Sequence, residues 1–77
     1  MISRNNFSWK NNQCFIGNEL IGEVLQDYKF PKLFWCHWVN GDKSQDFYNL
    51  SRAKQHLINS EMNRRNLAAY KTANDVL

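Results

Sequence analysis

Apolar positions along this chain come in short clusters, and their spacing changes character near residue 49. From Cys14 to Tyr28, two apolar runs are divided by Gly17, Asn18 and Glu19, a natural site for a tight turn, so the segment reads as a β-hairpin. Gly22 interrupts the second run, as expected of a bulge or of close approach by another backbone or an aromatic ring. Lys29-Phe30-Pro31-Lys32 favours a loop. Leu33 to Val39 is then a dense run of aromatic and branched residues that ends at Asn40-Gly41. Asn-Gly suits the positive φ angles of a primed two-residue turn. The chain is therefore predicted to fold back through Asp42 to Ser44 into a further short strand at Gln45 to Tyr48.

Beyond this point the period becomes helical. Asn49 or Ser51 can cap the first turn, and Leu50, Ala53 and Leu57 follow at spacings of three and four, facing the sheet. Good helix formers carry the segment to Asn63. Past Asn66 there are two alternatives. The helix continues and presents Ile58, Met62, Ala69, Ala73 and Val76 on a second face, or the chain turns and a short second segment packs back. The predicted fold is α+β: a three- or four-stranded antiparallel meander packed on one C-terminal α-helix, with a second short helix as the alternative. The 77 residues form a single domain, with its core over about 7–62 and with 63–77 as helix extension or second helix. Met1 to Asn6 and Asn74 to Leu77 are expected to fray.

A chain this short holds one marginal core, but aromatic residues at 14%, including Trp9, Trp35 and Trp38, bury much apolar area from few positions. No run approaches the roughly 20 apolar residues that cross a bilayer, and Met1 to Gln13 is polar where a signal peptide carries its apolar segment, so a cytoplasmic location is expected. Cys14 and Cys36 have apolar neighbours and are read as small, reduced core residues. A net charge of +3 permits nucleic acid or an acidic protein as partner without requiring either.

Catalytic chemistry finds little support. Cys14, Cys36, His37 and His56 lack the paired spacings of zinc modules, and adjacent strand residues such as Cys36 and His37 diverge. His37 is read as lying on the less buried side of its strand and His56 as an exposed helical position. The carboxylates Glu19, Glu23, Asp27, Asp42, Asp46, Glu61 and Asp75 are scattered and read as solvated surface and turns. Three isolated glycines make no phosphate loop. The chain is therefore expected not to be an enzyme and to need no metal or other cofactor.

The run from Leu33 to Val39 is the most informative. Alternation places Leu33, Trp35, His37 and Val39 on one face and Phe34, Cys36 and Trp38 on the other, so both faces are apolar. One helix covers one face. The other is covered by the segment around Phe7 and Trp9, or it meets solvent or a partner. For a protein partner, the candidate contacts are Trp35, Trp38, Phe34, His37 and Tyr48. The alternative partner is DNA or RNA, met by the basic helical half through Arg52, Lys54, Arg64, Arg65 and Lys71. Against a sheet-type DNA reader, the strands carry almost no positive charge.

The succession Phe15-Ile16-Gly17-Asn18-Glu19-Leu20-Ile21-Gly22-Glu23-Val24, Phe34-Trp35, Asn40-Gly41-Asp42 and Phe47-Tyr48-Asn49-Leu50-Ser51-Arg52-Ala53-Lys54 resembles small phage and prophage accessory proteins built as a meander followed by one helix. The same order of elements is similar to AP2-type and integrase arm-binding DNA domains. The strands here lack the basic residues of those domains, so no binding residue carries over. The phage resemblance implies a small module that binds and modulates or inhibits a host protein or a host defence system. The expected partner is a host or phage protein, with nucleic acid and a homodimer as further possibilities and no membrane contact.

Overall fold

The computed structural model describes the backbone of residues 2–75 and side chains as far as residue 69. A 3-10 turn at Arg4–Asn6 leads into strands β1 (Phe7–Lys10), β2 (Gln13–Ile16), β3 (Glu19–Gln26) and β4 (Phe34–Trp38), followed by helix α1 (Leu50–Asp75). The strands form one antiparallel sheet in the order β1-β2-β3-β4. The fold is α+β, a meander packed on one C-terminal helix, as the hydrophobic pattern predicts.

The position of the fourth strand corrects that pattern. It is β1, where Phe7-Ser8-Trp9-Lys10 alternates half-buried and exposed residues and pairs with β2, Trp9 opposite Cys14. The predicted strand at Gln45 to Tyr48 is absent. That segment instead runs beside β4 through isolated bridges at His37/Lys43 and Phe34/Phe47. Ser44 explains the interruption: its hydroxyl oxygen accepts the Cys36 amide at 2.8 Å and donates to the Gln45 carbonyl at 2.7 Å, replacing a main-chain rung with a side-chain one.

The turn before it also differs from the primed type. The Gly41 amide donates to the Trp38 carbonyl and the Trp38 amide to the Asp42 carbonyl, both at 2.9 Å. Gly41 has φ 98° and Asn40 is not in the left-handed region. This is a three-residue loop with a left-handed glycine at its end, which brings residues 42–47 back along β4.

Gly22 sits at a bulge, as expected. Cys14 pairs with Gly22 and Phe15 with Leu20, so Ile21 is the extra residue and turns inward, only 3% exposed. A methyl group on Gly22 would lie 2.7 Å from the His37 carbonyl oxygen and 3.2 Å from the Trp38 Cα. The glycine is there for space.

Asn49 caps α1, its side-chain oxygen accepting the Arg52 amide at 3.3 Å. Ala53 and Leu57 are fully buried and join Cys14, Ile21, Val24 and Cys36 in the core. Among the described residues there is no second helix, and α1 runs through Asn66 without a turn. The Asn66 amide instead clasps Ile2, accepting its N–H at 3.0 Å and donating to its carbonyl at 3.3 Å, while Arg4 donates to Asn59 at 2.6 Å. Residues 2–6 are thereby tied to the helix rather than frayed. Of the predicted second face, Ile58 packs on the core and Ala69 is exposed. The Ala73 side chain, Val76 and Leu77 lie outside the described residues.

Candidate functional site: the uncovered face of the sheet

Residues paired across an antiparallel ladder share a face. The pairs Trp9/Cys14, Cys14/Gly22, Gly22/Trp38 and Val24/Cys36 therefore define the face under α1. Phe7, Trp9, Phe34 and Trp38 are half-buried there against the core. This removes Phe7 and Trp9 as cover for the opposite face. That face carries Phe15 and Leu20 as one pair, Leu25 and Trp35 as another, and Glu23 opposite His37. Among the described residues, no other element packs over it.

Within the set Trp35, Trp38, Phe34, His37 and Tyr48, the structure separates what the sequence groups. Trp35 and His37 stand on the open face with ring centroids 6.0 Å apart, edge to face. Lys43 lies over the Trp35 ring at 5.5 Å, so this indole is held between a cation and an imidazole. A shallow groove of ≈ 280 Å³ beside it is lined by Gln13, Leu20, Glu23, His37 and Val39 with the Gly22 backbone. Val39 is 62% exposed. Phe34 and Trp38 face the helix. Tyr48, 84% exposed, stands apart near the loop between β3 and β4.

His56 is a correction. It is half-buried, its ring 5.9 Å from Trp38 and 5.0 Å from Phe47, with Nε2 3.4 Å from the Ser60 hydroxyl oxygen. It fills the seam between helix and sheet rather than pointing to solvent. Cys14 and Cys36 are free thiols in the core, and burial pushes both up, Cys14 to about 11. Among the described residues, no three His, Cys, Asp or Glu side chains gather as a metal site would require, and no helix is long and apolar enough to cross a membrane.

The basic residues of the helical half do not share a face. At about 100° per residue, Arg52 lies roughly 120° from Arg64 and 140° from Arg65. Lys54 sits over the Trp9 ring at 4.8 Å. Arg64 and Arg65 both donate to Glu61, and Arg65 also reaches Glu19 at 3.5 Å. The Lys71 side chain is outside the described residues.

Glu61 is the residue that sequence reading misses. Taken as solvated surface, it is 2% exposed, because α1 turns it toward the sheet one turn after Leu57. Burial alone would raise its pKa, but the hydrogen bonds and charges of Arg64 and Arg65 outweigh this and hold the carboxyl below the usual carboxylate range. Glu at position i with Arg at i+3 and i+4 was the available signal. A carboxyl whose folded pKa is depressed adds stability above its unfolded pKa of about 4.3 and loses it as pH falls through the lower folded value. Unfolding free energy is therefore expected to drop with acid below about pH 4.3, and Glu61→Gln to flatten that slope in urea titrations at pH 3 to 6. An unchanged slope would show that Glu61 gains nothing from its arginines.

No protein-family model, curated protein or solved structure matches this chain.

Proposed function

We propose that this chain is a non-enzymatic protein-binding module, a modulator or inhibitor of the phage accessory type that its sequence resembles, and that it engages a host or phage protein through the open sheet face with Trp35 at the centre. The observation that carries the reading is the one-sided packing. A single helix covers one apolar face, and Phe15, Leu20, Leu25 and Trp35 stand half-buried on the other with no other described element packed over them. Such surface is costly to leave in water, and contiguous patches of it mark interaction sites. An indole already ordered by Lys43 and His37 forfeits little side-chain entropy on binding, which suits a hot spot.

Magnitudes set the footprint. Four strands about 4.8 Å apart, crossed by strands of four to eight residues, offer roughly 400 Å², about half the ~800 Å² that each partner buries in a stable interface. The contact must extend to the rim, where Lys10 and Lys43 favour an acidic partner.

The nucleic-acid alternative has weaker support, because Arg64 and Arg65 are engaged by Glu61 and Arg52 points elsewhere. Affinity capture from host lysate, with and without nuclease and at low and high salt, tests both readings. A nuclease-resistant protein partner is expected, weakened at least ~30-fold by Trp35→Ala, the loss typical of a hot spot. Capture of nucleic acid only at low salt, abolished by Arg64→Ala and insensitive to Trp35→Ala, would replace this reading with the alternative.

A further inference from the structure

The loop between β3 and β4 holds aromatic rings out in water, and does so rigidly. Tyr28 is 88% exposed and Phe30 61%, with Tyr48 alongside. Exposed aromatics in a slack loop need no explanation, but this loop is closed by its own hydrogen bonds. One Asp27 carboxylate oxygen accepts the amides of Lys29 at 2.8 Å and Phe30 at 3.0 Å. The Leu33 amide donates to the Phe30 carbonyl and the Asp27 amide to the Leu33 carbonyl, both at 2.9 Å. The Gln26 side-chain amide donates to the Pro31 carbonyl at 2.6 Å. Proline fixes a further dihedral. The ordering entropy that a binding loop ordinarily loses on contact is therefore already spent in folding.

This loop frames an open cleft of ≈ 470 Å³ lined by Lys29, Phe30, Pro31, Lys32, Leu33 and Tyr48. Its wall is apolar apart from the lysines, and no carboxylate lines it. Neither lysine ammonium lies within ion-pair distance of a carboxylate among the described residues. Of its lining residues only Leu33 follows the alternation of the open face, and it lies just before β4; Phe30, Pro31 and Tyr48 stand off the sheet, so the cleft is centred apart from Trp35.

We propose that this cleft is a second docking site, for an extended peptide segment that places one apolar side chain against Phe30, Pro31 and Tyr48 and carboxylates on Lys29 and Lys32. Charge complementarity selects the acidic peptide: two unpaired ammonium groups flank an apolar floor that contributes no negative charge. A nucleic-acid strand fits less well, since phosphates recurring along it call for a track of cations, and the cleft offers two.

The test is selection of a displayed library of random short peptides on the intact protein, followed by anisotropy titration of the enriched sequences. The expected consensus is an apolar anchor flanked by Asp or Glu. Its affinity should fall at least ~10-fold with Phe30→Ser and with the pair Lys29→Glu and Lys32→Glu, and stay unchanged with Trp35→Ala. The lysine variants lie at the surface and leave the apolar wall in place, so they decide the matter if Phe30→Ser disturbs the fold. No enriched consensus, a neutral or basic one, or affinity indifferent to these variants would overturn the proposal. So would single-stranded oligothymidylate binding that the same variants abolish, or a dimer in sedimentation that Phe30→Ser dissolves. Loss of peptide binding with Trp35→Ala would instead assign the peptide to the open face.

Discussion

Leu57→Ala is expected to lower the unfolding free energy by about 2–5 kcal/mol, the usual cost of deleting a buried leucine side chain. Leu57 is fully buried and joins Ala53 in holding α1 on the sheet. The loss matters because a chain of 77 residues holds only ~4–12 kcal/mol in total. Among the described residues the core has six buried hydrophobic members, two of them cysteines and one an alanine, so little large aliphatic volume is at hand to collapse into the gap. Urea unfolding should show a much earlier midpoint with the cooperative transition retained or lost. A midpoint near that of the wild type would mean that α1 is not anchored where Leu57 places it.

Gly22→Ala is expected to cost about 1–3 kcal/mol by overpacking. The added methyl meets backbone on β4 first, at 2.7 Å and 3.2 Å, and the Leu57 Cδ1 at 3.3 Å only third. A side-chain tip can swing away, but two strands joined by a hydrogen-bonded ladder cannot part without losing rungs. This ordering makes a further demand: the double variant with Leu57→Ala should be no more stable than Gly22→Ala alone. Rescue by the smaller side chain would show that Leu57 was the obstacle and that the β4 backbone lies farther from Gly22 than the 2.7 Å approach requires.

The hairpin, β4 and the helix start are legible because each rests on a local rule. Gly17-Asn18 falls between apolar runs, Leu33 to Val39 is aromatic and branched, and Asn49 precedes a helical stripe. What stays hidden depends on partners distant in sequence. At Asn66 the sequence leaves open whether the helix continues or turns, and the hydrogen bonds of Asn66 are supplied by Ile2, 64 positions away. Gln45 to Tyr48 reads as a strand until the Ser44 hydroxyl competes for the Cys36 amide. β1 is short but alternates cleanly, and its Asn11-Asn12 turn, with Asn11 at φ 57°, was a usable signal.

The candidate site divides in the same way. Alternation along β4 correctly separates Trp35 and His37 from Phe34, Cys36 and Trp38, a consequence of pleat geometry alone. Which set the helix covers follows from packing: Gly22 lets β4 approach and Leu57 fill the space on the Trp38 side. Trp38 therefore belongs to the fold, and Trp35 is available to a partner. For Glu61 the arginines at i+3 and i+4 are a local signal, but its burial is not: a glutamate one turn beyond Leu57 reads as solvated until the packing of α1 on the sheet encloses it.

The most direct test of this division is the unfolding free energy of Trp35→Ala compared with Trp38→Ala. If the open face is reserved for a partner, Trp35→Ala should cost no more than about 1 kcal/mol, the scale of a cross-strand pair, and Trp38→Ala about 3 kcal/mol or more. Equal and large losses would place Trp35 in a second core and contradict a free binding face.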